Sequence, residues 1–337
     1  MKAIVLNRTS PIEKKPLEAA DLPVPVPSDN QILVKVSVCG ACHTDLDEAE
    51  GRLKPDKFPI VIGHQVVGTV ADKGKSVRKF SGGERVGITW LYKCCGECDF
   101  CRNGQENLCM SAKWTGKDAD GGYAEYMVIE EEYAYKIPER FTDRQAAPLL
   151  CAGVIGYRTL RLAEISNGQS IGIFGFGACA HIVIQVIKNK FPKSEVFVFT
   201  KTAEHAELAR SLGAAWTGVS GEQPPAKLDK VMDFTPAGEC VRDALGVLDR
   251  GGRLVINAIR KETAVPELDY AKYLWLEREI KSVANVTRRD AEEFLPLAAQ
   301  IPIVPTTEEF PLAEANEVLI RLKHSKLRAA AVLRVSG

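Results

Sequence analysis

Four cysteines crowd into one fifteen-residue window of this chain: Cys95, Cys98, Cys101 and Cys109, spaced C-x2-C-x2-C-x7-C. Zinc prefers four thiolates at the corners of a tetrahedron, and spacings this short let one loop wrap the ion. Gly96 and Gly104 help the chain turn that tightly. All four corners are then filled by protein and no position is left for a reactant, so the expected role is structural. Cys94 is a fifth thiol beside the group. In a chain with ten cysteines but no secretory character, a metal is a better account of them than a disulfide framework.

The rest of the sequence has two textures. The 337 residues suit two domains. Residues 1 to about 146 carry short β-type runs (Ala3–Leu6, Ile32–Val38, Val66–Val70, Arg85–Ile88 and Tyr123–Ile129) separated by Pro and Gly clusters, which suggests a small barrel or sandwich. From 147 to 284, apolar strands alternate with helical stretches. This pattern implies a parallel sheet covered on both faces. The tail, 285–337, ends in an apolar strand at 329–335 and is expected to return to the first domain.

Charge narrows the function classes. Lys plus Arg equals Asp plus Glu, 44 of each, so no electrostatic footprint for nucleic acid or an anionic membrane exists. Around the cysteine cluster, Glu97, Asp99 and Glu106 offset Lys93 and Arg102. No apolar run reaches the roughly 18–20 residues of a membrane span. The N-terminus does not read as a signal peptide, and a cytoplasmic location is expected.

A phosphate cradle opens the second region. Ser170–Phe174 reads as a strand, and Ala178–Lys190 as a helix. Between them lies Gly175-Phe176-Gly177-Ala178-Cys179-Ala180, a G-x-G-x-x-A turn. The first glycine permits the turn, the second lets backbone approach a pyrophosphate, and the small third residue allows close helix–strand packing. The helix N-terminus favours the phosphates. Cofactor choice rests on the next strand, which ends at Thr200-Lys201-Thr202. An acid there would bind ribose hydroxyls and favour NAD. A hydroxyl and an ammonium favour the 2′-phosphate of NADP(H) over NAD(H), with dual use possible.

Three separated residues suggest a second metal. Cys42 follows one β-type run, His64 follows another, and Cys151 opens the second region. Together they form a Cys2His set with a vacant position, as in the catalytic zinc of alcohol dehydrogenase. At this point the chain resembles the zinc-dependent, medium-chain alcohol dehydrogenases, nearest their bacterial and yeast-like branch. The motifs carrying the resemblance are Cys42-His43-Thr44-Asp45-Leu46, Gly63-His64, the four-cysteine lobe, Gly121-Gly122-Tyr123-Ala124-Glu125-Tyr126, Cys151-Ala152-Gly153 and Gly175-Phe176-Gly177.

The resemblance implies an α/β fold, with a GroES-like β-rich catalytic domain (1–146 and 285–337) and a Rossmann doubly wound parallel-sheet cofactor domain (147–284). It implies two zincs per chain and reversible hydride transfer between a primary or secondary alcohol, or its aldehyde, and NAD(P). His43, Thr44 and Asp45 would form the catalytic stretch. Asp45 would orient the histidine ligand, and Thr44 would take the alcohol's proton. Ala258 and Ile259 would meet the nicotinamide through their backbone, and Arg328 the pyrophosphate. Trp90 and Leu53 would line the alcohol pocket. Leu53 stands where relatives often carry tryptophan, which would widen the pocket for longer or aromatic primary alcohols. Two departures stand out: Asp47 replaces the histidine that often ends the proton relay, and Gln65 replaces a glutamate beside the zinc histidine. The expected partners are a small alcohol or aldehyde and further copies of the chain, a tetramer rather than a dimer. Rival readings are a polyol or amino-alcohol dehydrogenase on the same scaffold, and a non-catalytic NADP(H)-binding zinc protein.

Overall fold

The computed structural model describes residues 1–301, 303–327 and 330–335. The chain divides into two compact units: Met1–Cys151 with Asn285–Ala299 and Val304–Gly337, and Ala152–Ala284 with Gln300–Ile303.

The first unit is built on a seven-stranded sheet. Its long central strand, Gln31–Ala41, alternates Ile32, Val34 and Val36 toward the core, as a half-buried strand must. That strand pairs antiparallel with Gln65–Lys73, Tyr126–Glu130 and Ala330–Arg334. A smaller sheet orders Leu17–Asp21, Lys2–Leu6 and Ile60–Val61. Their apolar faces share one core that includes Leu6, Ile12, Ile60, Phe80 and Tyr123. The cysteine-rich lobe projects from a two-strand ladder, Leu91–Lys93 against Lys113–Trp114.

The second unit is a six-stranded parallel sheet. Its order is Trp216–Gly218, Glu195–Phe199, Ser170–Phe174, Leu228–Asp233, Leu248–Ile256, Glu279–Ser282. The central strands are apolar on both faces (Ile171, Ile173, Val196, Val198, Val231), because helices cover each side. In chain order this sheet runs 3-2-1-4-5-6, the doubly wound dinucleotide-binding arrangement, with its ligand crevice at the carboxyl ends of the first and fourth strands. Phe174 stacks on Phe199 at 4.0 Å, and Phe199 meets the edge of Trp216 at 5.1 Å. Such aromatic pairs contribute about 0.5–1.5 kcal/mol each beyond area burial.

Candidate active site and metal centres

Strand register brings two of the separated residues together. Gly40 pairs with Gln65, so Cys42, just past the end of one strand, and His64, just before the start of its neighbour, meet at the same sheet edge. The approach of His64 is fixed by the glycine-rich stretch: Gly121 N–H donates to Val61 O at 2.7 Å, Gly122 N–H to Gly63 O at 2.9 Å and Tyr123 N–H to Ile62 O at 3.0 Å. A Cβ at Gly121 would stand 2.0 Å from the Gly63 carbonyl oxygen, so only glycine permits this contact. Cys151 sits on a wide π-type turn, Leu149–Gly153, after the capped helix Asp143–Pro148. Leu150 packs against Gly87, where a Cβ would lie 2.7 Å from it, and this anchors the turn to the sheet.

The short helix His43–Ala49 starts on Cys42. The Cys42 sulfur accepts from Thr44 N–H at 3.4 Å, and the Asp45 carboxylate accepts from Cys42 N–H at 2.7 Å. This is a reciprocal capping box with a thiol in the serine's place. The other oxygen of Asp45 stands 3.2 Å from His64 Nδ1. One buried carboxylate therefore holds the backbone of one donor and lies close behind the ring of another, leaving His64 Nε2 facing Cys42 Sγ at 3.5 Å. The donor atoms of Cys42, His64 and Cys151 all lie within 4.8 Å of one another.

This donor set fits zinc. Tetrahedral arms of zinc–sulfur and zinc–nitrogen length separate the two donors by about 3.6 Å. The Cys151 side chain and burial push the Cys42 thiol well above its ordinary value. Two packed thiols resist ionising together, and a divalent cation between them is the partner that reverses this. At His64, burial opposes the charged ring, but Asp45 and Cys42 outweigh it and raise the pKa.

The second cluster is also assembled. Cys95, Cys98, Cys101 and Cys109 place their sulfurs within 4.8 Å of one another, with Cys95 to Cys101 at 3.8 Å and Cys95 to Cys109 at 3.5 Å. A tetrahedron with zinc–sulfur arms has edges of about 3.8 Å. Backbone N–H groups of Glu97 and Cys98 pull the Cys95 thiol down to about 6. Cys94 lies outside the group, buried, with its sulfur 3.0 Å from the Tyr133 hydroxyl.

An aromatic wall adjoins the three-donor group. The Trp90 ring lies 6.1 Å from His64 and stacks on Trp114 at 5.0 Å. Its indole N–H donates to Glu48 at 3.3 Å. The sequence reading passed over Glu48. It is wholly buried, one carboxylate oxygen has no partner, and burial followed by the Asp45 charge pushes its pKa well up. The available signal was its position one helical turn after Thr44, on the face the helix buries. Thr44 is buried and His43 is exposed. Asp47 is buried and ion-paired with Arg52, and its carbonyl accepts from half-buried Leu53 at 3.0 Å. Gln65 is buried against Gly40, and its amide nitrogen has no partner.

The dinucleotide candidates lie in the second unit. Gly175 has φ +79° and donates to Phe199 O at 2.8 Å, closing the turn. Gly177 caps the helix Ala178–Lys190 with no side-chain hydrogen bond, so that helix offers its first N–H groups outward. A Cβ at Gly177 would meet nothing within 4 Å, which leaves open space for a phosphate over the helix end. Phe176 and Ala180 are buried, Ala178 is exposed and Cys179 half-buried. Thr200 is buried at the next strand end, while Lys201 is exposed. Ala258 is half-buried and Ile259 is 55 % exposed, in a loop after Leu248–Ile256. Arg328 lies outside the described residues.

Residues 28–139 match the alcohol dehydrogenase GroES-like domain. A probable alcohol dehydrogenase, AdhA, of Mycobacterium tuberculosis is 42% identical over 340 residues, covering 99% of this chain and 97% of the relative. An alcohol dehydrogenase of Geobacillus stearothermophilus is 35% identical, covering 99% of each chain. Among solved structures, a cinnamyl alcohol dehydrogenase of Sorghum bicolor superposes with a TM-score of 0.88 at 25% identity, covering 100% of this chain and 98% of the other. The chain is thus an oxidoreductase that acts on alcohols, and it belongs to the zinc-dependent medium-chain alcohol dehydrogenase family.

Proposed function

We propose that Cys42, His64 and Cys151 hold the zinc ion that serves alcohol oxidation, and that the four-cysteine lobe holds a second, structural zinc. The observation that carries this reading is the convergence of three donors, two thiols and an imidazole, from three distant stretches. Three protein donors leave one tetrahedral corner for the reactant's oxygen. A zinc ion held there would act as a Lewis acid on that oxygen. A bound nicotinamide ring would accept or return the hydride.

The chain's own residues do the rest. Asp45 fixes the His64 ring and the Cys42 backbone, so donor geometry is set before substrate arrives. The Thr44 hydroxyl, buried one residue from Asp45, accepts the alcohol's proton as it releases its own outward, so it relays the proton without holding an extra one. Asp47, where a relay histidine often stands, is neutralised by Arg52, so the proton's outward route from Thr44 differs from that of relatives. Trp90 and Leu53 shape the pocket wall. The bulk missing at Leu53 supports longer or aromatic primary alcohols as substrates. The exposed N-terminus of Ala178–Lys190 binds pyrophosphate. With Lys201 and no carboxylate in Thr200-Lys201-Thr202, NADP(H) is favoured over NAD(H).

A polyol or amino-alcohol substrate is the second reading, favoured by the polar Glu48 side chain against Trp90. The homo-oligomer, a tetramer in this reading, is supported by the edge strand Glu279–Ser282, which has Ile280 exposed and Trp275 exposed just before it. None of the ten cysteines is joined in a disulfide, which suits the reducing cytoplasm.

One screen tests this function. Initial rates with ethanol, benzyl alcohol and a polyol are measured with NAD and NADP, before and after treatment with a strong zinc chelator. The expected result is highest kcat/KM for benzyl alcohol with NADP, and loss of turnover on chelation. A strong ethanol preference sinks the pocket reading, NAD preference sinks the Lys201 reading, and chelator-resistant turnover sinks the zinc.

A further inference from the structure

A buried ion pair lies at the carboxyl edge of the parallel sheet. Asp233 ends the strand Leu228–Asp233 and is wholly buried. Its Oδ2 accepts from Lys261 Nζ at 2.5 Å, and the same ammonium donates to the Thr235 carbonyl at 2.7 Å. Its Oδ1 accepts from the Thr235 N–H at 2.8 Å and hydroxyl at 2.7 Å. The Lys261 side chain is only 13 % exposed. Taking two charges out of water is costly, and geometry this complete is what offsets it.

The pair ties two loops together. Residues 234–238 follow one strand and residues 257–263 follow the next, Leu248–Ile256. Asn257 N–H donates to Asp233 O at 2.8 Å, Glu262 N–H to Pro236 O at 2.7 Å, and Gly238 N–H to the Thr263 hydroxyl at 2.7 Å. Thr235 also touches the phosphate turn, since a Cβ at Gly175 would lie 3.0 Å from its methyl group. Lys261 therefore links the carboxyl ends of the strands Ser170–Phe174, Leu228–Asp233 and Leu248–Ile256, where open parallel sheets take their ligands. Ala258 and Ile259 lie inside the tied loop, which has no helix or strand to hold it.

We propose that Lys261 is a positioning residue for the nicotinamide half of the dinucleotide, locked by Asp233 so that the backbone of Ala258 and Ile259 presents a fixed edge to the ring. This rests on the reading that residues 258 and 259 meet the nicotinamide. The adenosine half, placed at the glycine turn and at Thr200 and Lys201, meets the lock only through the Thr235 methyl group beside Gly175, so it depends on the lock far less than the loop at residues 258 and 259 does.

The test compares two ligands on the full-length protein. NADPH carries the nicotinamide, and ADP-ribose 2′-phosphate lacks it. Binding is followed by reduced-nicotinamide fluorescence for the first and calorimetry for the second. Lys261→Met is expected to weaken NADPH about tenfold, as a loosened positioning loop should, while ADP-ribose 2′-phosphate stays within about twofold. Lys261→Arg, which keeps the charge, should restore most of the loss. The double variant Lys261→Met with Asp233→Asn leaves no lone buried charge, so it keeps the fold and should show the same selective loss. Unchanged NADPH binding in both variants, or an equal loss for both ligands, overturns the proposal. If the wild-type protein binds NADPH no tighter than ADP-ribose 2′-phosphate, the reading of residues 258 and 259 fails and the proposal falls with it.

Discussion

At the residue scale, Asp45 carries the most connections for its size. It accepts from the Cys42 backbone and faces His64, and it is wholly buried. Asp45→Asn should keep the helix cap in part but remove the negative charge behind the imidazole. Zinc affinity at the three-donor group should fall about 10–100-fold, read by competition with a chelating dye, while the four-cysteine zinc stays bound. Unchanged affinity would remove Asp45 from this role. The cysteine clusters were legible in the sequence because thiols at metal spacing have few other uses. Glu48 was not, since a glutamate in a helix normally reads as surface. Only the packing of Trp90 and the Asp45 carboxylate around it exposes its burial.

At the scale of elements, the strand–helix alternation of the second unit was readable in part, while the edge strands Trp216–Gly218 and Glu279–Ser282 left no signal in the sequence. Ser170–Phe174 and Ala178–Lys190 have the expected bounds, because buried parallel strands are uniformly apolar and their helices are periodic. The helix His43–Ala49 was harder to see, since it spans two turns and is capped by a thiol. The tail was expected only to end in a strand, yet it also holds the helices Arg288–Gln300 and Ala315–Lys323. Pro296 within the first disguises its period. The helix Ala315–Lys323 meets His43–Ala49 through Glu50, which accepts from Ile12 N–H at 3.0 Å, from Lys323 at 2.8 Å and from Arg52. Burial opposes the Glu50 carboxylate, but these donors outweigh it and lower its pKa from 4.5 to about 2. A depressed folded pKa adds stability above the unfolded value that is lost as pH falls through the folded one. Glu50→Gln should therefore cost about 1–2 kcal/mol at pH 7, after allowing for solvent screening. The gap to wild type in urea unfolding should close between about pH 4.5 and 2. Parallel stability curves over that window would contradict this linkage.

At the scale of the whole molecule, each unit gathers one half of the candidate chemistry: three donors able to hold a metal in the first, and an uncapped helix end behind a glycine turn in the second. The sequence indicated both halves because each rests on residue types with narrow uses. The convergence of Cys42, His64 and Cys151 came only from the family resemblance, and its physical basis was not legible. Convergence depends on the Gly40–Gln65 register, the Gly121 contact with Gly63 and the turn at Leu149–Gly153, none of which has a local signature. The most direct test of that convergence is zinc per chain by mass spectrometry, with turnover, in wild type and Cys42→Ala. Two zincs and activity in wild type, with one zinc and no alcohol oxidation in the variant, is the predicted result. A variant that keeps both zincs or its full turnover would contradict the assignment.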